Sequence, residues 1–494
     1  MEAVRRTQGC WTCKKRKIGC DRGYPACNNC LRTGRECLGY GIRLAWPDQP
    51  DGRRRGSRAP DQVVHYINKV PIDYGKQFLN MNFADLEHAA KGSMVLDEFL
   101  ICSQMRPARS ISLIPGFREQ ESHLISYYSN RLSKMISTIN VKNGFRDELL
   151  PMALSSSGKA SHGLRNAILA VAAFHAWGAE QALSYKAEAI RSLSSSLSTE
   201  SFGTTEIQLA TSMMLCVYNV FDETEGHWSL HLYGAQKILH QLASIHGGHL
   251  AYSFLYTWFL YHEILGGFSQ PLMQWPHGPA SLRLLYDTTF DRSKIIGSLG
   301  CSVEVMEIIS RINSWRANDT RYDPASLSHQ EKSERAEELS HLERTLANLE
   351  QTLDPAYETD LTPSERTRTM ATAELYRIAT FFYLQRIGNP EPSPETRSRY
   401  LQLALDLMNV LDVCTSPWPL FVIACETEND DQRIHILKTL DLMDDRRHIG
   451  NVFVLRQIVE SFWKQQDIHA DTGRAGNLKW WDTLALNLSA PWFI

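Results

Sequence analysis

Apolar residues recur at helical spacing over most of this chain after residue 115, and almost nowhere before it. Trp228, Leu232, Ala235, Leu239 and Leu242 advance by alternating steps of four and three, which lays one stripe along a single helix face. The same periodicity predicts helices over Glu119–Ile139, Leu164–Leu197, Glu206–Val220, Val303–Ile312, Glu334–Leu353, Arg366–Leu384 and Thr396–Leu411. Two further segments follow at Pro419–Cys425 and Asn451–Trp463. Alternating strand patterns are scarce, and Gly and Pro fall mostly between the segments. A large all-α domain is expected over residues 115–494, with no period regular enough to indicate repeats and ample length for a core. No apolar run approaches the roughly 18 residues of a membrane-spanning helix, so no membrane partner is expected.

The N-terminal part follows another logic. Residues 1–40 carry few large apolar side chains beyond Trp11, Ile18, Tyr24, Leu31, Leu38 and Tyr40, too few to offset the entropy of ordering so short a segment. They hold instead six of the 11 cysteines, spaced Cys10-x2-Cys13-x6-Cys20-x6-Cys27-x2-Cys30-x6-Cys37. C-x2-C-x6-C therefore occurs twice, and C-x2-C is a spacing at which two thiolates grip one tetrahedral ion. Six thiolates satisfy two tetrahedral zinc ions if two sulfurs are shared. Disulfides are not expected, because MEAVRRTQGCWTCKKRK contains no apolar leader to an oxidising compartment. Histidine-containing fingers do not fit either, since the first histidine is His65.

Charge sharpens this picture. Residues 1–60 contain 14 Lys plus Arg against 5 Asp plus Glu, whereas the whole chain has a net charge of −3. A basic head on an acidic body is the electrostatic footprint of nucleic-acid binding. Lys14, Lys15, Arg16 and Lys17 lie between two of the cysteines, where a fixed short helix would present several cations to one groove. Residues 41–114 read as a linker, rich in Pro, Gly and Arg at the start, whose Arg53, Arg54 and Arg55 suit phosphate-backbone contact or nuclear import. No sustained heptad is visible between Gly41 and Pro115, which disfavours a coiled coil there.

The cysteine array resembles that of the fungal binuclear zinc-cluster transcription factors, without a spacing departure from Gly9 to Cys37. The resemblance implies two structural zinc ions bridged by Cys10 and Cys27, a loop proline matched by Pro25, and a short helix reading CGG-type triplets in the major groove. By position, Lys17 and Arg16 would contact bases, and Lys14, Lys15, Arg32 and Arg35 phosphates. Gly9-Cys10-Trp11-Thr12-Cys13, with Leu44 and Trp46, looks closest to the arginine-metabolism-regulator branch. Residues 115–494 resemble the family's fungal-specific regulatory domain through Trp228-x2-His231-Leu232-x-Gly234-Ala235, Trp418-Pro419-Leu420-Phe421 and Asn451 to Trp463. Expected from this are a nuclear regulator of RNA polymerase II genes, an activator of a metabolic or secondary-metabolite pathway, and contacts with the transcription machinery, with binding as a monomer or as a homodimer through the helical domain both left open.

Enzyme signatures fail one by one, and no enzyme is expected. Ser155–Ala160 starts like a phosphate loop but lacks its first glycine, and His262-Glu263 meets Gly266 where a zinc protease needs a second histidine. His227 and His231 share a helix face without a third ligand. Cys102, Cys216, Cys301, Cys414 and Cys425 are isolated and read as small buried hydrophobes. The competing functional class is a metabolite-binding or scaffold protein whose zinc head mediates protein contacts.

Overall fold

A computed structural model describes residues 9–23, 26–38, 118–140, 142–155, 158–197, 204–222, 228–245, 254–269, 291–321, 328–388, 394–411, 413–471 and 479–481. The chain divides into two compact units, residues 1–68 and 69–494. In the first, the described residues form two short helices, α1 (Trp11–Arg16) and α2 (Asn28–Arg32), around the cysteines. The expected linker over residues 41–114, with Arg53, Arg54 and Arg55, lies outside the described residues, as does Pro25.

The second unit is built of helices, as the periodicity predicts. The Trp228–Ile245 helix buries all five residues of the apolar stripe, Trp228, Leu232, Ala235, Leu239 and Leu242. It packs on Thr205–Phe221, which packs in turn on Lys159–Trp177. The predicted run from Leu164 to Leu197 is two helices, because Gly178 takes φ 94° and turns the chain back into Ala179–Leu197. Glycine adopts that backbone readily and other residues do not. Ala182, Lys186, Ala189, Ser192 and Ser196 form the buried face of the returning helix, and the small size of all but Lys186 lets the two backbones approach closely. Likewise Glu119–Ile139 is interrupted by a π-helical turn at Tyr128–Leu132 and ends at Ile136.

The Pro417–Cys425 helix is buried along its whole length and lies against Pro363–Gly388. Trp418 stacks on Tyr376 with ring centroids 5.9 Å apart and meets Phe268 edge to face at 5.7 Å. Aromatic pairs of this kind add about 0.5–1.5 kcal/mol beyond the area they bury. Strand structure among the described residues is a two-stranded antiparallel hairpin, Ile295–Ile296 with Cys301–Ser302. Cys216, Cys301, Cys414 and Cys425 are buried, and burial raises each thiol, so they remain protonated packing groups. Among the described residues, no helix is long and apolar enough to cross a membrane.

Two buried charges clamp the ends of these helices. Glu426, 1% exposed at the side chain, accepts from Arg386 Nε at 2.7 Å and lies 2.6 Å from Arg397 Nη1. Arg447 donates to the Thr415 carbonyl at 3.1 Å and the Met135 carbonyl at 3.2 Å, tying together segments far apart in sequence. His262 is buried as well, donating Nδ1–H to the Trp258 carbonyl at 3.0 Å, and burial pulls its pKa down to about 3.

Removing one partner of a buried ion pair strands the other, so Glu426→Ala should destabilise the helical unit by about 3–5 kcal/mol in urea unfolding, with Glu426→Gln retaining part of that stability. The folded chain holds His262 neutral, whereas the unfolded chain takes up a proton below about pH 6.5. Stability from this group is therefore present above about 6.5 and is lost as pH falls toward 3. Thermal unfolding across that window should show the decline, and His262→Gln should flatten it.

Candidate metal centre

Each C-x2-C pair is built the same way. Cys10 and Cys27 stand at the N-caps of α1 and α2 in extended backbone, and the second cysteine of each pair falls three residues on, inside the helix. The Cys10 sulfur accepts from the Cys13 N–H at 3.4 Å, and the Cys27 sulfur accepts from the Cys30 N–H at 3.3 Å. The spacing thus places a sulfur where Ser or Asp ordinarily caps a helix, with the positive end of the helix dipole stabilising thiolate charge. Helices of six and five residues do not stand alone in water, so what holds them is the sulfur cluster.

The cluster is crowded. Cys10 Sγ lies 3.6 Å from Cys27 Sγ and 3.7 Å from Cys30 Sγ, and Cys13 Sγ lies 3.6 Å from Cys27 Sγ. The sulfurs fall into two sets of four, Cys10, Cys13, Cys20, Cys27 and Cys10, Cys27, Cys30, Cys37, each with its atoms within 4.8 Å of one another. Cys10 and Cys27 belong to both. A tetrahedron with Zn–S bonds of about 2.3 Å has edges of about 3.8 Å, so these separations fit thiolates gathered on a metal ion. Burial pushes the Cys10 thiol up to about 12 and raises Cys13 and Cys27. Burial acts the same way at Cys20, but N–H groups of Cys10 and Arg22 pointing at its sulfur outweigh it and bring it down to about 7. Without a cation the buried sulfurs would stay protonated, and a cation is what makes thiolates stable there.

Around the cluster run contacts that the spacing does not announce. Asp21 accepts from the Asn28 N–H at 3.0 Å and the Asn29 N–H at 3.4 Å, satisfying the first turn of α2. Those bonds, led by Asn28, hold its carboxyl below the usual range. Asn29 Nδ2 donates to the Gly19 carbonyl at 2.5 Å. Thr12 Oγ1 donates to the Glu36 carbonyl at 2.8 Å and accepts from the Leu38 N–H at 3.1 Å, fastening the segment around Cys37 to α1. The sequence signal for these groups is weak: Asp21 is a short acid directly after Cys20, in the loop that leads to the second C-x2-C pair.

The basic residues are distributed unevenly. Lys15 and Lys17 are exposed, and Lys17 ends α1 in the left-handed conformation at φ 55°, with its N–H bonded back to the helix. Lys14 lies over the Trp11 ring, 4.5 Å from its centroid. Arg16 is half-buried and donates to Thr33 Oγ1 at 3.3 Å, bridging the two halves of the repeat. Arg32 and Arg35 are exposed on the second half, Arg32 donating to Asn29 Oδ1 at 3.4 Å. Cations gather in the last turn of α1, where the dipole favours them. In the helical unit, His227 lies outside the described residues, and Glu263 is buried beside Gln236, whose Nε2 donates to Oε1 at 3.3 Å.

The chain matches the fungal specific transcription factor domain over residues 123–491 and the fungal Zn(2)-Cys(6) binuclear cluster domain over residues 8–47, and it belongs to this family of transcription factors. Among curated relatives it is 35% identical over 66 residues to pestheic acid cluster transcriptional regulator 3 of Pestalotiopsis fici, covering 13% of this chain and 12% of that protein. It is 22% identical over 368 residues to transcription factor iacI of the same fungus, covering 72% and 90%. It is also 47% identical over 38 residues to arginine metabolism regulation protein II of Saccharomyces cerevisiae, covering 8% and 4%. No solved structure matches the chain.

Asp21→Ala removes the acceptor for two N–H groups at the start of α2 while leaving all six sulfurs. It should accelerate zinc loss to a chromogenic chelator, and Asp21→Asn, which keeps one acceptor oxygen, should fall between that variant and the wild type.

Proposed function

We propose that this protein is a nuclear, zinc-dependent, sequence-specific DNA-binding regulator of RNA polymerase II genes that reads CGG-type triplets. The observation that carries the reading is the pair of sulfur tetrads sharing Cys10 and Cys27, set directly behind a run of four basic residues. In this reading six thiolates hold two structural zinc ions with those two sulfurs as bridges, and residues 1–40 form the DNA-binding domain, 41–114 the linker and 115–494 the regulatory domain. The metal supplies folding energy, on the order of 10 kcal/mol per structural site, that so few apolar side chains cannot.

Lys17 is the leading base reader. It sits exposed at the C-terminal end of α1, where its ammonium can reach guanine O6 and N7. Arg16 takes the same role on releasing Thr33. Lys15, Arg32 and Arg35 engage phosphates, joined by Lys14 when it leaves the Trp11 ring, and Arg53, Arg54 and Arg55 extend backbone contact or serve import. The target is a metabolic or secondary-metabolite pathway, a reading supported by the similarity to pestheic acid cluster transcriptional regulator 3 of Pestalotiopsis fici. Activation through the transcription machinery and dimerisation through the helical unit complete the proposal. Glu426, buried between two arginines, is unsuited to an exposed acidic activation segment.

Lys17→Gly keeps the left-handed cap and removes the charge, so it isolates the ammonium. It should weaken binding to a CGG site by about 1–3 kcal/mol and relax discrimination against mutated triplets, read by fluorescence anisotropy. Equal losses on both sites would assign Lys17 to the phosphates instead. Chelation of zinc should abolish binding, and intact wild-type binding should weaken steeply with salt. Salt-insensitive or sequence-blind association would favour a protein-contact role for the head.

A further inference from the structure

The helix Ala179–Leu197 carries its small side chains inside and its large apolar ones outside. On the buried face, Ala189 and Ser192 lie close against Gly163, where a Cβ would stand 3.3 Å from the Ser192 Cβ. Lys186 lays its ammonium over the Tyr218 ring, 4.4 Å from the centroid. Lys159–Trp177 and Thr205–Phe221 pack on this helix and leave the large residues in solvent: Leu183 is 59% exposed, Ile190 41% and Leu197 51%. Scattered exposed leucines are ordinary on a protein surface, but these three recur every seventh residue on one helix face. Ala187 and Ser194 complete the row in steps of four and three, the spacing of the buried Trp228 stripe.

Three properties of the row select its occupant. It is nearly symmetric about its centre, because Leu183 and Leu197 lie seven residues to either side of Ile190, about 10 Å along the axis. An antiparallel copy related by a two-fold axis through Ile190 sets each Leu183 against the partner's Leu197, and Ile190 against the partner's Ile190. Ala187 and Ser194 are small enough to let the two axes approach to about 8–10 Å. None of the five positions is charged, and the flanking Arg191 is engaged by Glu188 of its own helix, so two copies meet without like-charge repulsion. The face is also small. A helix of 19 residues is about 28 Å long and about 10 Å wide, a strip well below the roughly 800 Å² that each partner contributes to a standard interface. A separate protein held by this strip alone would dissociate readily, whereas a second copy on a neighbouring DNA site is kept at about millimolar effective concentration.

We infer that the row Leu183, Ala187, Ile190, Ser194, Leu197 is the surface through which two copies of this chain pair, antiparallel about Ile190. The inference rests on the reading of dimerisation through the helical unit and specifies its contact. The pairing is transient in solution and gains its strength when two chains occupy adjacent sites.

Sedimentation velocity of the full-length, zinc-loaded chain tests this without DNA, over concentrations up to about 200 μM. The wild type should pass from monomer to dimer as concentration rises. Leu183→Glu and Leu197→Lys should each weaken self-association by at least about tenfold. Mixing the two variants should restore dimers, since the introduced carboxylate of one chain meets the introduced ammonium of the other and the second Leu183–Leu197 contact stays intact. A parallel pair would not be restored this way. Thermal melting checks that each variant is folded, and Ile190→Ser at the axis supplies a milder disruption if either is not. A wild type that stays monomeric overturns the inference together with the dimer reading. A wild type that dimerises while its folded variants dimerise equally well, or while their mixture stays monomeric, overturns this surface and leaves the dimer reading standing.

Discussion

The crowding of six cysteine sulfurs into one small cluster is the constraint on which the described part of the N-terminal unit depends. Cys10 and Cys27 sulfurs 3.6 Å apart cannot both carry charge in a buried site unless positive charge lies between them. The described contacts of the unit are arranged around that demand. Both C-x2-C pairs begin at helix N-caps, so backbone N–H groups and helix dipoles face the sulfurs. Asp21 and Thr12 stitch the intervening loop and the Cys37 segment onto the helices. Because the cluster replaces a hydrophobic core, α1 is free to expose lysines along its outer face.

The helical unit obeys a different constraint, the burial of bulky aromatic side chains around a short internal helix. Pro417–Cys425 is apolar on every face, so it must be surrounded, and Tyr376, Phe268 and Tyr383 close around Trp418. Elements that enclose it must end in polar groups, and the unit satisfies these internally through Glu426 with two arginines and Arg447 with two carbonyls. The helical unit is thus a packed body with defined joints.

Much of this was legible in sequence, for identifiable reasons. Thiolate spacing is a direct geometric statement, so the cysteine repeat announced the cluster and its likeness to the zinc-cluster family. The Trp228 stripe was legible because one face of that helix is buried and the other is not. Phe254–Ser269 was not recognised, since a helix apolar all round has no preferred face. Asp430–Arg447 was missed for the opposite reason: its buried line Ile436, Leu440, Met443 ends in Arg447, a residue that reads as surface. The helix expected over Glu334–Leu353 begins at His329, where Ser328 and Glu331 form a reciprocal cap, a local signal present in the sequence. Contacts of Asp21, Thr12 and Arg16 join residues distant along the chain, and no local pattern encodes them. The left-handed turn at Lys17 was equally hidden, because lysine seldom marks such a site.

Shared thiolates make a stoichiometric demand that a simpler metal site would not. Native mass spectrometry of the intact chain measures it directly. Two zinc ions per chain, lost together when either Cys10→Ala or Cys27→Ala removes a bridge, are the expected result. One zinc ion per chain, or a Cys10→Ala protein that keeps both, would contradict the binuclear cluster.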